Sequence, residues 1–307
     1  MYSEERNSLI AVVVLIFIGI FILVASMLRI FSPVDLQESS VAKSLVEKQA
    51  TNNFANLNLE AKAVYVFDVN TNSPIFSINE NAQLPLASLT KIMTALVAID
   101  MIPDFTLVPI RKSDINLAKG EKWNLKDLIE YTLLVSSNDG ANAIANVVGV
   151  LDPLSSSKTA ESNFVDRMNE KAGKIGLGQT YFLNESGLDV NAKVSGAYGS
   201  ARDVANLFTY ALKHHPEIIE ATKYEKLSLS SKEKDHNAVN TNKSINNIPN
   251  IIGSKTGYTD LAGGNLVISF DAGIEKPIVV VVLGSTEEGR FTDAEKLAQA
   301  VLKDMNK

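Results

Sequence analysis

Residues 84–99, Leu-Pro-Leu-Ala-Ser-Leu-Thr-Lys-Ile-Met-Thr-Ala-Leu-Val-Ala-Ile, set Ser88 and Lys91 at the head of a run that stays apolar until Asp100. A helix apolar nearly all round is buried inside a domain. Positions i and i+3 share one helix face, so Ser88 and Lys91 are expected side by side where water is scarce. A serine hydroxyl needs a base before it becomes a nucleophile. A lysine made less basic by burial can act as that base, and the positive end of the helix dipole favours an oxyanion at Ser88. Taken alone, the stretch fits a helix-capping serine and a snorkelling lysine equally well. Ser-x-x-Lys also occurs at 40/43, 155/158 and 231/234, each time in polar surroundings.

Outward from this helix, residues 61–69 alternate as a half-buried strand does. A turn cluster at 70–74 and a second strand at 75–78 complete a hairpin, and 106–110 suits a further short strand. Asn124 is placed to cap a helix with Leu125, Leu128, Ile129, Thr132 and Leu133 on one face. That helix runs into Ser136-Ser137-Asn138-Asp139-Gly140, residues that favour turns. Ser136 and Asn138 therefore fall in a tight connection that projects polar side chains into a cleft; by themselves they read as a cap and a turn. Helices are expected from Ser162 or Asn163 to Ala172, and over 201–213 with Ser200 as cap, with polar loops at 152–158 and 228–250.

Lys255-Thr256-Gly257 occurs once, ahead of two strand-like runs at 265–270 and 278–283 and an amphipathic helix at 292–305. On a strand edge beside a cleft, Lys255 and Thr256 can hold a carboxylate by charge and hydrogen bond. Gly257 leaves room for a ligand backbone. The alternative is a surface loop between hairpin strands.

Composition narrows the classes. The 307 residues are 46% hydrophobic, enough for a sizeable core, and the net charge of −6 argues against a nucleic-acid partner. There is no cysteine, and His214, His215 and His236 show no metal-ligand spacing, so all three are expected at the surface. Neither a metal nor a cofactor is expected. Residues 9–28 form an uncharged run long enough to cross a bilayer of about 30 Å. It exceeds the roughly 7–15 apolar residues of a cleaved signal and lacks a following A-x-A site. Arg6 and Arg29 on its two sides leave orientation close to a tie. The expected organisation is a transmembrane anchor over 1–31, a linker over 32–58 and a folded domain over 59–307.

Ser88-x-x-Lys91, Ser136-x-Asn138 and Lys255-Thr256-Gly257, in that order, resemble the motif set of the serine penicillin-recognising enzymes. Residues 60–303 are similar to the D-alanyl-D-alanine carboxypeptidases, the low-molecular-weight penicillin-binding proteins. Phe182, Asn184 and Gly187-Leu188-Asp189 extend the resemblance, as do Ser200-Ala201-Arg202-Asp203, Asn240-Thr241-Asn242 and Tyr258-Thr259. Glu185-Ser186 departs from the Pro-His that this family often carries. Glu185 invites comparison with the deacylating glutamate of class A β-lactamases, but its neighbours look like the carboxypeptidase segment.

The resemblance implies an α/β (α+β) fold of the β-lactamase/transpeptidase-like type: an antiparallel sheet flanked by helices, plus a mostly helical region. It implies that Ser88 attacks the peptide carbonyl between two D-alanines while Lys91 takes its proton. Ser136 relays a proton to the leaving amine, and Lys255 holds the local charge. Asn138 orients Lys91 and binds the substrate amide. Thr256 and Lys255 bind the terminal carboxylate, and the N–H groups of Ser88 and Tyr258 form the oxyanion hole. Implied partners are the peptidoglycan stem peptide ending in D-Ala-D-Ala, β-lactam antibiotics as covalent inhibitors, and a lipid bilayer through the N-terminal helix, with the domain outside the bacterial cytoplasm. A D,D-endopeptidase, a β-lactamase and a non-turnover penicillin sensor are the alternatives. Arg202, Asp203 and Asp139 are expected to be structural, and Arg290 fits either role.

Overall fold

A computed structural model describes residues 53–111, 117–151 and 159–305. The expected anchor over 1–31, the linker up to residue 52 and the expected loop at 152–158 lie outside them. Among the described residues no helix is long and apolar enough to cross a membrane.

The chain opens with strands β1 (Ala63–Asp68), β2 (Ser73–Ile78) and β3 (Leu84–Pro85), then helix α1 (Thr90–Met101). Strands β4 (Leu107–Pro109) and β5 (Lys122–Asn124) precede the helices α2 (Leu125–Val135), α3 (Asn138–Leu151) and α4 (Ala160–Lys174). Strands β6 (Tyr181–Phe182) and β7 (Ala197–Gly199) lead to α5 (Ala201–His214) and the short α6 (Pro216–Glu220). The hairpin β8 (Lys226–Ser230) and β9 (Asp235–Val239) comes next. Strands β10 (Ile251–Thr259), β11 (Gly263–Asp271) and β12 (Pro277–Ser285), with helix α7 (Gly289–Met305), close the chain.

Five strands form one antiparallel sheet in the order β10-β11-β12-β1-β2, so both ends of the domain meet in it, as expected. Strand β1 departs from expectation: all six of its residues are buried, not every second one. Tyr65 and Phe67 pack into the core on the α1 and α5 side, while Val64 and Val66 pack under α7. Helices on both faces remove the solvated side that alternation normally marks. Phe54 and Leu57, from the expected linker, join the α7 side, where Phe54 stacks on Phe76 at 4.8 Å between ring centres.

Cap chemistry is mixed. Ser200 accepts from Asp203 N at 3.1 Å, as its position suggested. Helix α4 is capped by Thr159, which accepts from Ser162 N at 3.2 Å, and not by Ser162 or Asn163. The expected loop at 228–250 contains most of the β8–β9 hairpin. Its anchor is His236, buried and not at the surface: Nε2 lies 2.8 Å from Glu121 Oε2. The imidazole clusters with Trp123 and Tyr131, at 4.8 and 5.5 Å between ring centres. Glu121 also accepts from Ala118 N and Trp123 Nε1 and pairs with Lys234 at 3.0 Å. The hairpin is thereby fastened to the chain just ahead of β5.

Candidate active site

Ser88 lies in a short 3-10 turn, Ala87–Leu89, that feeds α1. Ala87 has φ 49°, a left-handed conformation that costs a non-glycine residue roughly 1–2 kcal/mol. Neighbours hold the turn in place. Thr90 Oγ1 donates to Ala87 O at 2.7 Å, Asn265 Nδ2 donates to Pro85 O at 2.9 Å, and Leu86 N donates to Ala197 O at 3.0 Å. Gly187 packs so tightly that a Cβ there would stand 1.9 Å from Ala87 O.

Lys91 follows one turn later and is fully buried. Its Nζ donates to Ser88 Oγ at 2.8 Å, Asn138 Oδ1 at 2.7 Å and Ser186 O at 2.7 Å. Burial lowers its pKa from the usual 10.5 to about 7, with the negative charge of Glu185 pulling the other way. Loss of hydration disfavours the ammonium form, so an amine free to accept the Ser88 proton is available near neutrality.

Ser136 ends α2 with φ 61°. The capping role expected in this turn falls to Ser137, whose Oγ accepts from Gly140 N at 3.0 Å. Ser136 and Asn138 are left free to face the cleft. Lys255, on β10 and also buried, donates from Nζ to Ser136 Oγ and to Thr256 O, each at 2.8 Å. Burial, then the charges of Lys91 and Arg290, push the Lys255 pKa well below its ordinary value.

The site therefore consists of two hydrogen-bonded groups, Ser88 with Lys91 and Asn138, and Ser136 with Lys255. Beside them, the hydroxyls of Thr256 and Thr241 share a hydrogen bond of 2.6 Å. Arg290 Nη1 donates to Gly257 O at 2.7 Å, and the ring of Tyr258, 44% exposed, stands 5.9 Å from the Arg290 guanidinium. Gly257 has a different neighbour from the ligand backbone expected for it. A Cβ there would meet Leu86 O at 3.0 Å and Ser88 N at 3.1 Å, so the glycine lets β10 lie against the Ser88 turn.

Three contributors had no assigned role in the sequence. Thr241 stood in a recognisable segment, Arg290 was open between two roles, and Ser186 acts through a main-chain carbonyl that no residue type announces.

A family model described as D-alanyl-D-alanine carboxypeptidase matches residues 47–287. The chain belongs to that family. D-alanyl-D-alanine carboxypeptidase DacF of Bacillus subtilis is 30% identical over 268 residues, which cover 83% of this chain and 66% of that protein. DacB2 of Mycobacterium tuberculosis is 27% identical, covering 75% of this chain and 77% of its own length. This family member thus spans about two thirds to three quarters of these curated relatives. Penicillin-binding protein D2 of Listeria monocytogenes, solved in an ampicillin-bound form, has a TM-score of 0.69 at 27% identity, covering 80% of this chain and 98% of that one. The fold of that penicillin-binding protein is thereby matched over 80% of this chain.

Proposed function

We propose that this chain is a serine-type D-Ala-D-Ala carboxypeptidase that removes the terminal D-alanine of peptidoglycan stem peptides through an acyl-enzyme on Ser88. The observation that carries this is the 2.8 Å contact between Lys91 Nζ and Ser88 Oγ, made by a lysine whose pKa lies near 7. A base is most effective when its pKa lies near the working pH.

Neutral Lys91 takes the Ser88 proton as Oγ bonds to the carbonyl carbon between the two D-alanines. Asn138 holds Lys91 in line and binds the substrate amide. The N–H groups of Ser88 and Tyr258 stabilise the oxyanion, a contribution of roughly 3–4 kcal/mol per donor in comparable sites. Ser136 passes a proton to the departing nitrogen, and its bond with Lys255 allows that proton to be replaced. The terminal carboxylate is held by Thr256 and the local positive charge. Arg290 is the fixed part of that charge, because a guanidinium stays protonated in proteins whereas the buried Lys255 loses its proton readily. Water then frees the shortened peptide.

β-Lactams acylate the same serine in this scheme, supported by the ampicillin-bound relative. The apolar run at 9–28 supports a single-pass anchor over 1–31, with a linker that starts at residue 32 and ends before the packed Phe54 holding the domain outside the bacterial cytoplasm. The test is labelling of the full-length protein by a fluorescent penicillin, beside Ser88→Ala, with D-alanine release from a D-Ala-D-Ala peptide assayed in parallel. Labelling and release should both vanish in the variant. Labelling without release from folded wild type would overturn the carboxypeptidase assignment.

A further inference from the structure

The segment that departs from the family pattern carries a side chain the proposed mechanism does not use. Glu185 is 8% exposed. Its main-chain carbonyl accepts from Thr94 Oγ1 at 2.6 Å, and the next carbonyl, that of Ser186, accepts from Lys91 Nζ. Asn184 Oδ1 shapes this turn by accepting from Gly187 N at 2.7 Å. The Glu185 carboxylate points another way, to α3, where Oε1 accepts from Asn142 Nδ2 at 3.2 Å. Asn142 stands one helical turn beyond Asn138. Glu185 therefore touches both helices that hold Lys91, α1 through its backbone and α3 through its side chain.

We propose that Glu185 is a positioning residue for Lys91, with its carboxylate clamped to α3 as the buried counter-charge of the Lys91 ammonium. Among the described residues, the other polar groups facing Lys91 do not fill that role. Ser88, Asn138 and the Ser186 carbonyl are neutral. Lys255 on β10 and Arg290 bear cationic groups, which can only disfavour the Lys91 ammonium. Glu161 on α4 accepts from the same Asn142 Nδ2 at 3.1 Å but is exposed, where water screens it. Glu185 is accordingly the charge that raises the proton affinity of Lys91 against burial.

The inference rests on Ser88 and Lys91 being nucleophile and base. During acylation by a penicillin the Ser88 Oγ–carbon bond forms and the lactam carbon–nitrogen bond breaks. The Ser88 proton goes to Lys91, and the freed nitrogen is protonated in turn. Only neutral Lys91 starts this step, so the rate rises with pH through the Lys91 pKa. Removing the Glu185 charge lowers that pKa and moves the acidic limb to lower pH. The plateau above it falls slightly, because a less basic amine abstracts a proton less readily.

The experiment is the second-order rate of labelling of the full-length protein by a fluorescent penicillin, from about pH 5.5 to about pH 9. Wild type is compared with Glu185→Gln, Glu185→Ser, Glu185→Asp and Ser88→Ala, each checked for its melting transition. Both neutral variants should shift the acidic limb down by ~0.5–1 pH unit, which is ~3–10-fold faster labelling at its foot. Glu185→Asp, which keeps the charge, should stay on the wild-type limb. Glu185→Ser serves if Glu185→Gln does not fold. A folded neutral variant that labels more slowly at every pH, with its limb unmoved, overturns the inference and leaves Glu185 a packing residue. If Ser88→Ala labels as wild type does, the nucleophile assignment has failed instead.

Discussion

Gly257→Ala asks how closely the Lys-Thr-Gly strand must approach the nucleophile. The added Cβ would sit 3.0 Å from Leu86 O, 3.1 Å from Ser88 N and 3.2 Å from Ala87 Cβ. Comfortable carbon contacts lie at about 3.5–4.0 Å, so strand and turn must part by several tenths of an ångström. No flexible side chain can absorb this, since two of the three contacts are backbone atoms and the third is a Cβ. Gly257 is also held by Arg290 through its carbonyl, and the turn by Asn265 and the Ala197 carbonyl. Overpacking of this kind costs roughly 1–3 kcal/mol of stability. In the site it displaces Ser88 N from Tyr258 N, the two proposed oxyanion donors. Losing one such donor costs about 3–4 kcal/mol, so partial misplacement should cost ~1.5–2 kcal/mol, or ~10–30-fold in acylation rate. Stopped-flow acylation by a fluorescent penicillin, beside a thermal melt, measures both effects. A folded Gly257→Ala protein acylated at the wild-type rate would refute the claim that this contact sets the oxyanion geometry.

The pH profile of wild-type acylation should rise with a midpoint near 7, where Lys91 loses its proton, and not near the ordinary 10.5; rates measured across that span decide between them. The same shift makes stability depend on pH. Because folded Lys91 titrates near 7 and unfolded lysine near 10.5, the unfolded chain binds more protons in between. That contribution is restored as pH climbs through this window and lost as it falls, by on the order of 5 kcal/mol. The melting temperature of Lys91→Met relative to wild type should therefore be highest near pH 7 and decline towards pH 10.5, and a constant difference would contradict it. Thr241→Val removes the partner of the Thr256 hydroxyl; with about 1 kcal/mol for such a bond, kcat/KM for D-alanine release should drop ~3–10-fold. Glu121→Gln weakens the fastening of the β8–β9 hairpin and should cost ~2–3 kcal/mol in a denaturant melt, while the wild-type midpoint would show that the His236 and Lys234 contacts contribute nothing.

What could be read in the sequence was whatever depended on spacing along one element. The i, i+3 separation of Ser88 and Lys91 places them together in the 3-10 turn and first helical turn just as it would in a regular helix. Ile278 to Leu283 reads as a strand because it is β-branched almost throughout, and it sits inside the sheet between two others. The failures share a different cause. The β8–β9 hairpin looks like loop because Asp235 and Asn237 are polar. Yet His236 and Ala238 alternate with them and turn inward, and it is Glu121, more than a hundred residues away, that makes a buried histidine tolerable there. A charged partner supplied from elsewhere leaves no trace in the local pattern.

The same limit applies at the centre of the site. Spacing says that Ser88 and Lys91 meet; it cannot say that the lysine is a base. The base role proposed for it depends on the water removed around Lys91, on the Asn138 amide and Ser186 carbonyl that hold its Nζ, and on the opposing charge of Glu185, with Lys255 packed beyond Ser136. These arrive from α3, from the turn after β6 and from β10, so none lies within forty residues of Lys91. Lys43, Lys158 and Lys234 have the same serine three residues before them. Lys234, the one of these within the described residues, is half exposed and pairs with Glu121 at 3.0 Å. Two lysines with one local motif thus stand in different surroundings, and it is the fold around Lys91, burial above all, that turns a common spacing into a candidate catalytic pair.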